Sequence, residues 1–446
     1  MIHGNSIQSE AVIQMNNFLP TSDQQKQRIQ LSKELIPGGS TNSLLPPAGI
    51  EFLADYGEGA YVYDIDGRRY LDFMLGAGPL VLGHAHPRIV ETISKQAARG
   101  TQFFGLADRA LALAERIVKT VPSAEMVRYA SSGSEATFHS LRLARAVTGR
   151  RKFIKFDGAW HGHHDLAVWS MELSPTQIPK GYPISEGIQS GVADDIIVLP
   201  YNDAASFKAM MAEHPNEFAA VICEPMQRTL TPLPGFLETL RDECDRWGTV
   251  LIFDEVVSGF RLAPGGAQEK YGVTPDLTAL GKALGGGMPL AAIVGKRSLM
   301  EHLDPNSAPE TYSFHCGTHN GHPIGIECAH TTLDIMVGEG GIEQISQLGT
   351  YAREKMEKLF KDLGVTAQIT GEGPIFHFYF TDEPVHNHSV VRRSNIALSD
   401  AMHRKVYEGG IYKNFSKAYL STAHTKDHVD ELADALGRAY KEVAGR

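Results

Sequence analysis

The feature that most constrains this chain is a pair of short, mostly apolar runs that each precede a charged residue. Val250–Phe253 is followed at once by Asp254, and Leu277–Leu280 lies just before Lys282. Runs of this kind are typical of strands buried on both faces, as in a parallel sheet covered by helices. Ligands of such sheets bind beyond the carboxyl ends of the strands, where the acid and the lysine would meet.

An isolated lysine is most often a solvated charge on a loop, and the acid changes this interpretation of Lys282. A lysine and an acid at neighbouring strand ends fit a site for pyridoxal 5′-phosphate. In such a site Lys282 binds the aldehyde as a Schiff base, and Asp254 pairs with the pyridinium nitrogen. Lys282 is therefore the candidate catalytic residue, and both residues are candidate cofactor ligands.

Alternating strand and helix patterns predict the fold class. From residue 87 to residue 330 they indicate an α/β fold with a mostly parallel sheet and helices on both faces. A chain of 446 residues is too long for one simple core. We expect an N-terminal arm with part of a small domain (1–86), a large cofactor-binding domain (87–330) and a C-terminal part of the small α+β domain (331–446).

Four segments carry specific structural predictions. Residues 1 to about 25 are polar and predict an arm that becomes ordered against a partner subunit. Asp66-Gly67 lies between two short strand patterns and signals a hairpin. Residues 170–195 are rich in Pro, Gly and Ser and indicate a long surface loop over the site. Residues 324–338 predict one long helix.

Composition excludes several classes of partner. The formal net charge of −10 argues against a nucleic-acid or membrane-surface partner, because either favours a basic face. The four cysteines show no CxxC spacing and are expected to be reduced thiols of a cytoplasmic protein. No apolar stretch approaches bilayer length. The pair His84 and His86 lacks a carboxylate or cysteine at a recognisable spacing, so no metal site is predicted.

The turn from Ser131 to Ala136 predicts an anion site. A small, glycine-containing turn at the start of a helix leaves backbone N–H groups aimed at one point, which suits a phosphate. Ser132, Gly133 and Ser134 are therefore candidate cofactor ligands. An ordinary capped helix is the alternative for this turn taken alone, and the lysine and acid in the same chain favour the phosphate.

The run FDEVVSGFRLAPGGAQEKYGVTPDLTALGKALGGGMP, from Phe253 to Pro289, resembles the class III aminotransferases of fold type I. It is most similar to the branch that contains glutamate-1-semialdehyde 2,1-aminomutase. The resemblance extends from about Leu35 to Ala439. It implies the fold type I architecture, pyridoxal 5′-phosphate as the cofactor, and a homodimer with shared active sites.

The resemblance also implies cofactor roles for further residues. Trp160 matches the position of the ring that stacks on the cofactor, and His161 follows it. Glu224 and Gln227 are candidates to contact ring substituents or the bound substrate. The remaining two candidates are Val256, beside the predicted acid, and Thr318, which would reach the phosphate bound by the neighbouring subunit.

The substrate positions depart from the aminomutase pattern. That pattern has an arginine after a Pro-Gly-Gly loop and a tryptophan before a Gly-Pro-Leu run. Here the loop around Ser43 contains no arginine, and Ala77 occupies the second position. Both departures indicate a roomier pocket with a displaced carboxylate anchor. Arg228 is a candidate replacement because guanidinium binds carboxylate in a bidentate fork; an ordinary surface arginine is equally consistent.

These observations predict an aminotransferase with a small-molecule amino donor and a 2-oxo acid acceptor. The donor is expected to be an amino acid whose amine is not α, such as a β-amino or aryl-bearing acid. An isomerase of the aminomutase type is the alternative. A cofactor-binding regulator with a degraded site is a third reading, against which Lys282 and Asp254 argue.

Overall fold

The computed structural model describes residues 21–43, 49–171 and 177–445. The predicted arm at residues 1–20 and the loop residues 44–48 lie outside the described residues. In the N-terminal part, Gln25 anchors the first helix, because its side-chain amide donates to Asp64 at 3.1 Å and to Asp66 at 2.8 Å. The elements of this part are α1 (Asp23–Leu35), β1 (Ala54–Glu58), β2 (Tyr61–Asp64) and β3 (Arg69–Asp72).

The predicted hairpin at Asp66-Gly67 is present. Strands β2 and β3 pair antiparallel, and Gly67 adopts a φ of +75°, which glycine tolerates in a tight turn. Strand β1 was not predicted from the sequence. Four of its five residues are exposed, so it lacks the apolar alternation by which a strand is recognised.

A seven-stranded sheet forms the centre of the molecule. Its order is β4-β10-β9-β8-β7-β5-β6, and β10 runs antiparallel to the other six strands. The strands are β4 (Met126–Ala130), β5 (Lys152–Phe156), β6 (Ile196–Leu199), β7 (Phe218–Cys223), β8 (Val250–Glu255), β9 (Leu277–Leu280) and β10 (Ala291–Gly295). The helices around it are α2 (Pro87–Ala97), α3 (Asp108–Thr120), α4 (Gly133–Thr148), α5 (Ala204–Glu213), α6 (Phe236–Trp247), α7 (Ala267–Tyr271), α8 (Arg297–Met300) and α9 (Pro323–Leu333).

Strands β7 and β8 are buried along their whole length, as their apolar runs predicted. Successive residues of these strands belong to two different hydrophobic clusters. Val221 and Leu251 pack with residues of α5 and α6, whereas Ile222 and Ile252 pack with residues of α4. Because side chains alternate along a strand, helices on both faces bury each strand completely.

The C-terminal part shares a hydrophobic cluster with the first strands, in which Leu71 and Phe73 pack with Phe376 and Leu432. Strand β13 pairs parallel with β3, and β11, β12 and β14 form a separate antiparallel sheet. The elements are α10 (Gly341–Asp362), β11 (Gln368–Glu372), β12 (Ile375–Tyr379), α11 (His388–Arg393), α12 (Ile396–Glu408), β13 (Ile411–Tyr412), β14 (Ala418–Tyr419) and α13 (Lys426–Val443).

Of two long predicted segments, the helix differs in the structure, whereas the surface loop is largely exposed over residues 177–191, as predicted. The helix predicted over residues 324–338 is α-helical only to Leu333 and continues as a π-helical turn, Asp334–Gly338. The segment predicted as a surface loop at 170–195 is tied to the protein at its start, where Ser170 is buried and Trp169 bridges Pro183. It ends in a 3₁₀ helix, Ser190–Asp195. None of the helices in the described ranges is long and apolar enough to cross a membrane.

Candidate active site

Lys282 lies directly beyond strand β9, at the start of a 3₁₀ turn. Its φ of +43° is in the left-handed region, which is unfavourable for a residue with a side chain. Such strain persists where the surroundings dictate it and is common at functional sites. Burial lowers the pKa of the Lys282 amine, so less free energy is needed to obtain its neutral, nucleophilic form.

Asp254 lies near the carboxyl end of strand β8, the neighbour of β9. Its carboxylate accepts hydrogen bonds from the backbone N–H of Val256 at 3.1 Å and pairs with His161 Nδ1 at 2.9 Å. Both Asp254 and His161 are buried. The following acid, Glu255, faces away and accepts hydrogen bonds from Ser258 and Gln268. Of these two adjacent acids, Asp254 lines the cavity and Glu255 does not.

The turn for which the sequence predicted an anion site forms the N-terminus of helix α4. Ser132 is the N-cap and accepts from the Glu135 N–H at 3.3 Å, which leaves the N–H groups of Gly133 and Ser134 for a ligand. Gly133 is required by packing, because a Cβ there would lie 2.8 Å from Val256. The two alternatives predicted for this turn, a capped helix and an anion site, are therefore compatible with each other.

These elements enclose a cavity of about 440 Å³. It brings together ten of the candidate residues from the sequence: Ser132, Gly133, Ser134, Trp160, His161, Glu224, Arg228, Asp254, Val256 and Lys282. The Glu224 carboxylate accepts a hydrogen bond from the backbone N–H of Trp160 at 2.8 Å. Burial, and then the charge of Asp254, raise the pKa of the Glu224 carboxyl.

Four candidates do not line this cavity. Gln227 is buried beside it and donates its side-chain amide to the Asp157 carbonyl at 2.7 Å. Ser43 and Ala77 are exposed. Thr318 is also exposed, and its carbonyl accepts a hydrogen bond from the side chain of Gln102.

Sequence reasoning missed Lys417, which is buried and lines the cavity. It precedes the two-residue strand β14 in the C-terminal part, where no long apolar run marks it. Its only signal is a charge next to a short strand pattern, which is too common to select it. Sequence reasoning also missed His163, which lines the cavity and whose Nδ1 is 2.8 Å from Ser134 Oγ.

The cavity fits pyridoxal 5′-phosphate. The pyridine nitrogen suits Asp254, the aldehyde suits Lys282, and the phosphate suits the start of helix α4. His161 Nε2 is buried and has no hydrogen-bond partner among the described residues, so the site has a polar atom still to be satisfied. Trp160 provides a ring on the cavity wall for stacking.

A mostly parallel sheet that directs a lysine, an acid and a helix N-terminus into one cavity defines a fold type I enzyme of pyridoxal phosphate. Within that class, the family model described as "Aminotransferase class-III" matches residues 47–439. The chain belongs to the class III aminotransferase family. The predictions of this family and of its fold are confirmed.

Glutamate-1-semialdehyde 2,1-aminomutases are among the curated relatives. A glutamate-1-semialdehyde 2,1-aminomutase 2 of Brevibacillus brevis is 36% identical, covering 92% of this chain and 97% of the relative. A glutamate-1-semialdehyde 2,1-aminomutase of Desulfitobacterium hafniense is 39% identical, covering 94% of this chain and 98% of the relative. The sequence therefore aligns with this branch over nearly its whole length.

The solved structures that resemble the chain include transaminases. An omega-transaminase from Sphaerobacter thermophilus has a TM-score of 0.90 and 33% identity, covering 96% of this chain and 99% of its own. A transaminase with PLP bound has a TM-score of 0.86 and 29% identity, covering 94% and 97%. A β-phenylalanine aminotransferase from Variovorax paradoxus has a TM-score of 0.83 and 28% identity, covering 95% and 94%.

We predict that Gly162→Ala weakens cofactor binding. Gly162 has a φ of +104°, and a Cβ there would lie 2.3 Å from Ser134 Oγ, so the start of helix α4 must move. Loss of one hydrogen bond to a charged phosphate should raise the dissociation constant at least about tenfold. An absorbance titration of the apoenzyme with pyridoxal 5′-phosphate measures it.

Gly149→Ala is the matched control, since Gly149 follows the other end of α4 with a φ of +66° and no atom within 4 Å of the added Cβ. It introduces similar backbone strain without disturbing Ser134. Equal cofactor affinity in the two variants would contradict the assignment of the phosphate site.

Proposed function

We propose that this chain is a pyridoxal-phosphate-dependent aminotransferase that moves an amino group between an amino acid and a 2-oxo acid. The observation that carries the proposal is the joint presence of Lys282, Asp254 and the start of helix α4 around one cavity. The donor is proposed to be an amino acid with a non-α amine, such as a β-amino or aryl-bearing acid. Support comes from the missing arginine near Ser43, from Ala77, and from the similarity to an omega-transaminase and a β-phenylalanine aminotransferase.

The residues around the cavity are proposed to have separate roles in the reaction. When bound, the cofactor would accept the electron pair left behind as the C–H bond breaks at the substrate carbon that bears the amine. Asp254 keeps a proton on the pyridine nitrogen, and His161 holds the Asp254 carboxylate in place. Lys282 Nζ, as a free amine beside the bound substrate, would take the proton from the carbon that bears the amine and deliver it to the cofactor carbon. Burial lowers the pKa of Lys282, which favours the neutral amine that this exchange requires.

The second candidate function is an intramolecular aminomutase of the glutamate-1-semialdehyde 2,1-aminomutase type. The identity to curated aminomutases over more than nine-tenths of the chain favours it. The same Lys282 and Asp254 serve either reaction, because both reactions begin with proton transfer at the carbon that bears the amine. The two candidates differ in whether the amino group leaves the enzyme with a second substrate.

The test that separates them is the requirement for a 2-oxo acid. We expect the holoenzyme to turn over a β-amino acid continuously only when pyruvate or 2-oxoglutarate is present, with one equivalent of new amino acid formed per donor consumed. The control is glutamate-1-semialdehyde without any oxo acid. Continuous conversion of this compound to its amino isomer, with no dependence on oxo acid, would establish the aminomutase instead.

We predict that borohydride reduction of the holoenzyme attaches the cofactor to Lys282. Lys282→Ala should lose the covalent attachment and turnover, while the phosphate site still holds the cofactor weakly. Peptide mapping by mass spectrometry identifies the modified lysine. Lys417→Ala is the matched control, because Lys417 is the second lysine that lines the cavity. Labelling of Lys417 in place of Lys282 would refute the assignment.

We further propose a cytoplasmic homodimer whose subunits share their active sites. Phe104, Leu106 and Phe314 are 86%, 80% and 61% exposed. They lie on the two segments that are joined by the Gln102–Thr318 hydrogen bond. An apolar surface of this kind favours burial against a second copy. Thr318 lies outside the cavity of its own chain and is proposed to serve the phosphate of the partner's cofactor. The proposed cytoplasmic location rests on the free thiols of all four cysteines.

Mixing two inactive variants tests the shared site. If Thr318 serves the partner, Lys282→Ala and Thr318→Glu should complement each other, because each hybrid dimer then has one site with neither lesion. Activity should recover to about half of wild type per hybrid, since one of two symmetric sites is intact. The control pair is Lys282→Ala with Asp254→Asn, which should not complement because each lesion damages the cavity of its own subunit. No recovery with Thr318→Glu, despite demonstrated subunit exchange, would exclude the shared site.

A further inference from the structure

One wall of the cavity carries a concentration of positive charge. Arg228 and Lys417 line it, and Arg261 lies behind it, where its guanidinium donates to the Gly78 carbonyl. Arg261 is 1% exposed and Lys417 is 6% exposed. Charged groups that are withdrawn from water in this way are costly unless an opposite charge compensates them.

Among the residues that the structure describes, the acids whose charges act on Lys417 are Glu224 and Asp254. Asp254 is engaged by His161 and by the Val256 N–H, and it is the proposed partner of the pyridine nitrogen. The Glu224 carboxylate accepts a hydrogen bond from the Trp160 N–H. Burial raises the pKa of the Glu224 carboxyl, so Glu224 is a weaker counter-charge for the amine of Lys417. The positive wall is therefore suited to an anion supplied from outside the chain.

Lys417 is held rigidly at this wall. Two residues beyond it, the Tyr419 N–H donates to the Phe73 carbonyl at 2.9 Å, which fixes strand β14 against the N-terminal part. The Lys417 amine lies 5.4 Å from the centre of the Tyr419 ring, and the Arg261 guanidinium lies 5.1 Å from it. No residue in the described ranges accepts a hydrogen bond from the Lys417 amine, although that amine can donate three.

We propose that Lys417 binds the carboxylate of the substrate and so selects amino acids and oxo acids over simple amines and aldehydes. This inference rests on the proposed function and deepens it, because it adds a specificity-determining residue to the same site. Arg228 borders the same part of the cavity and contributes further positive charge. A lysine is a compact charge on a flexible stem, so it can follow carboxylates at different distances from the reacting amine.

The use of a lysine has a consequence for pH dependence. Burial, and then the charge of Arg228, lower the pKa of Lys417 to about 7; Arg261 acts in the same direction, and Glu224 and Asp254 oppose it. Lys282, His161 and His163 are further titratable groups that line the cavity, and the titratable Tyr419 ring packs beside the Lys417 amine. A bound carboxylate favours the protonated amine and raises its pKa. Binding is therefore accompanied by proton uptake above pH 7, and affinity is greatest below pH 7.

The experiment measures binding to the holoenzyme by calorimetry, without turnover. The probes are 3-phenylpropanoate and its amide, 3-phenylpropanamide, which differ in the negative charge. Lys417→Met should lower affinity for the carboxylate about 10- to 100-fold and leave affinity for the amide unchanged. Lys417→Arg should restore the affinity, because arginine is charged at every pH used.

Proton uptake provides a readout that a merely structural role would not affect. For wild type at pH 8, the heat of carboxylate binding should vary with the ionisation enthalpy of the buffer and indicate close to one proton taken up. The affinity should fall as pH rises above 7, by up to about tenfold per unit. In Lys417→Arg both the proton uptake and this pH dependence should disappear.

Lys413→Met is the matched control for loss of a buried lysine. Burial also lowers the pKa of Lys413 to about 7, but its amine is bound by His403 at 3.0 Å and by the Asn414 carbonyl at 2.7 Å, away from the cavity. This variant should retain carboxylate binding.

Equal carboxylate affinity in wild type and Lys417→Met, or binding by wild type without proton uptake, would overturn the proposal. Absence of carboxylate binding by wild type would overturn it as well. These outcomes are distinct from failure of the aminotransferase function, which the oxo-acid test detects by turnover alone. A wild type that binds the carboxylate through Lys417 but isomerises glutamate-1-semialdehyde would support the anchor and refute the aminotransferase.

Discussion

The site depends on the register in which strands β8 and β9 pair. Asp254 lies opposite Ala279, and Glu255 opposite Leu280. Because side chains alternate along a strand, this register directs Asp254 into the cavity and Glu255 to the opposite face, where Ser258 and Gln268 bind it. A slip of one residue would exchange the two acids. The same pairing brings the end of β9, and with it Lys282, to the edge of the sheet where Asp254 lies.

Burial then adjusts the chemistry of the groups that the sheet brings together. Withdrawal from water disfavours whichever form of a group is charged. It therefore lowers the pKa of the Lys282 and Lys417 amines and raises the pKa of the Glu224 carboxyl. One physical effect thus leaves two amines that exchange protons readily and an acid that is a weak counter-charge. The anion that balances the remaining positive charge is proposed to be the substrate.

Aminomutases and transaminases both resemble this chain because the similarity lies in the framework of the fold, which is common to both kinds of enzyme. The sheet, the start of helix α4 and the Lys282 turn serve any reaction that begins with proton transfer beside an amine. Specificity must instead come from residues on connections and on the small strands, where the chain presents Arg228 and Lys417. Fold similarity of this kind identifies a family and its cofactor more firmly than it identifies a substrate.

The sequence by itself determined the central sheet, the lysine and the acid. Apolar runs such as Ile222 and its neighbours report burial on both faces, and a charge directly after such a run is placed at the strand end by covalent connection. Lys282, Asp254 and the Ser132 turn could therefore be identified from the residues immediately around them in the sequence. Strand β1 could not be predicted in this way, because its exposed residues show no apolar alternation. The π-helical turn after Leu333 could not be predicted either, because its one additional residue per hydrogen-bonded turn leaves no periodic pattern in the sequence.

Only the tertiary structure decided which distant residues complete the cavity. Lys417 is more than a hundred residues from Lys282 in the chain, and it reaches the cavity because β14 is fixed against Phe73. Conversely, Gln227 is close in sequence to Glu224 yet donates its side-chain amide to the Asp157 carbonyl, and its backbone pairs with Leu230 in a tight turn. Sequence patterns record which side chains are buried, whereas the direction of a buried side chain depends on the elements packed around it.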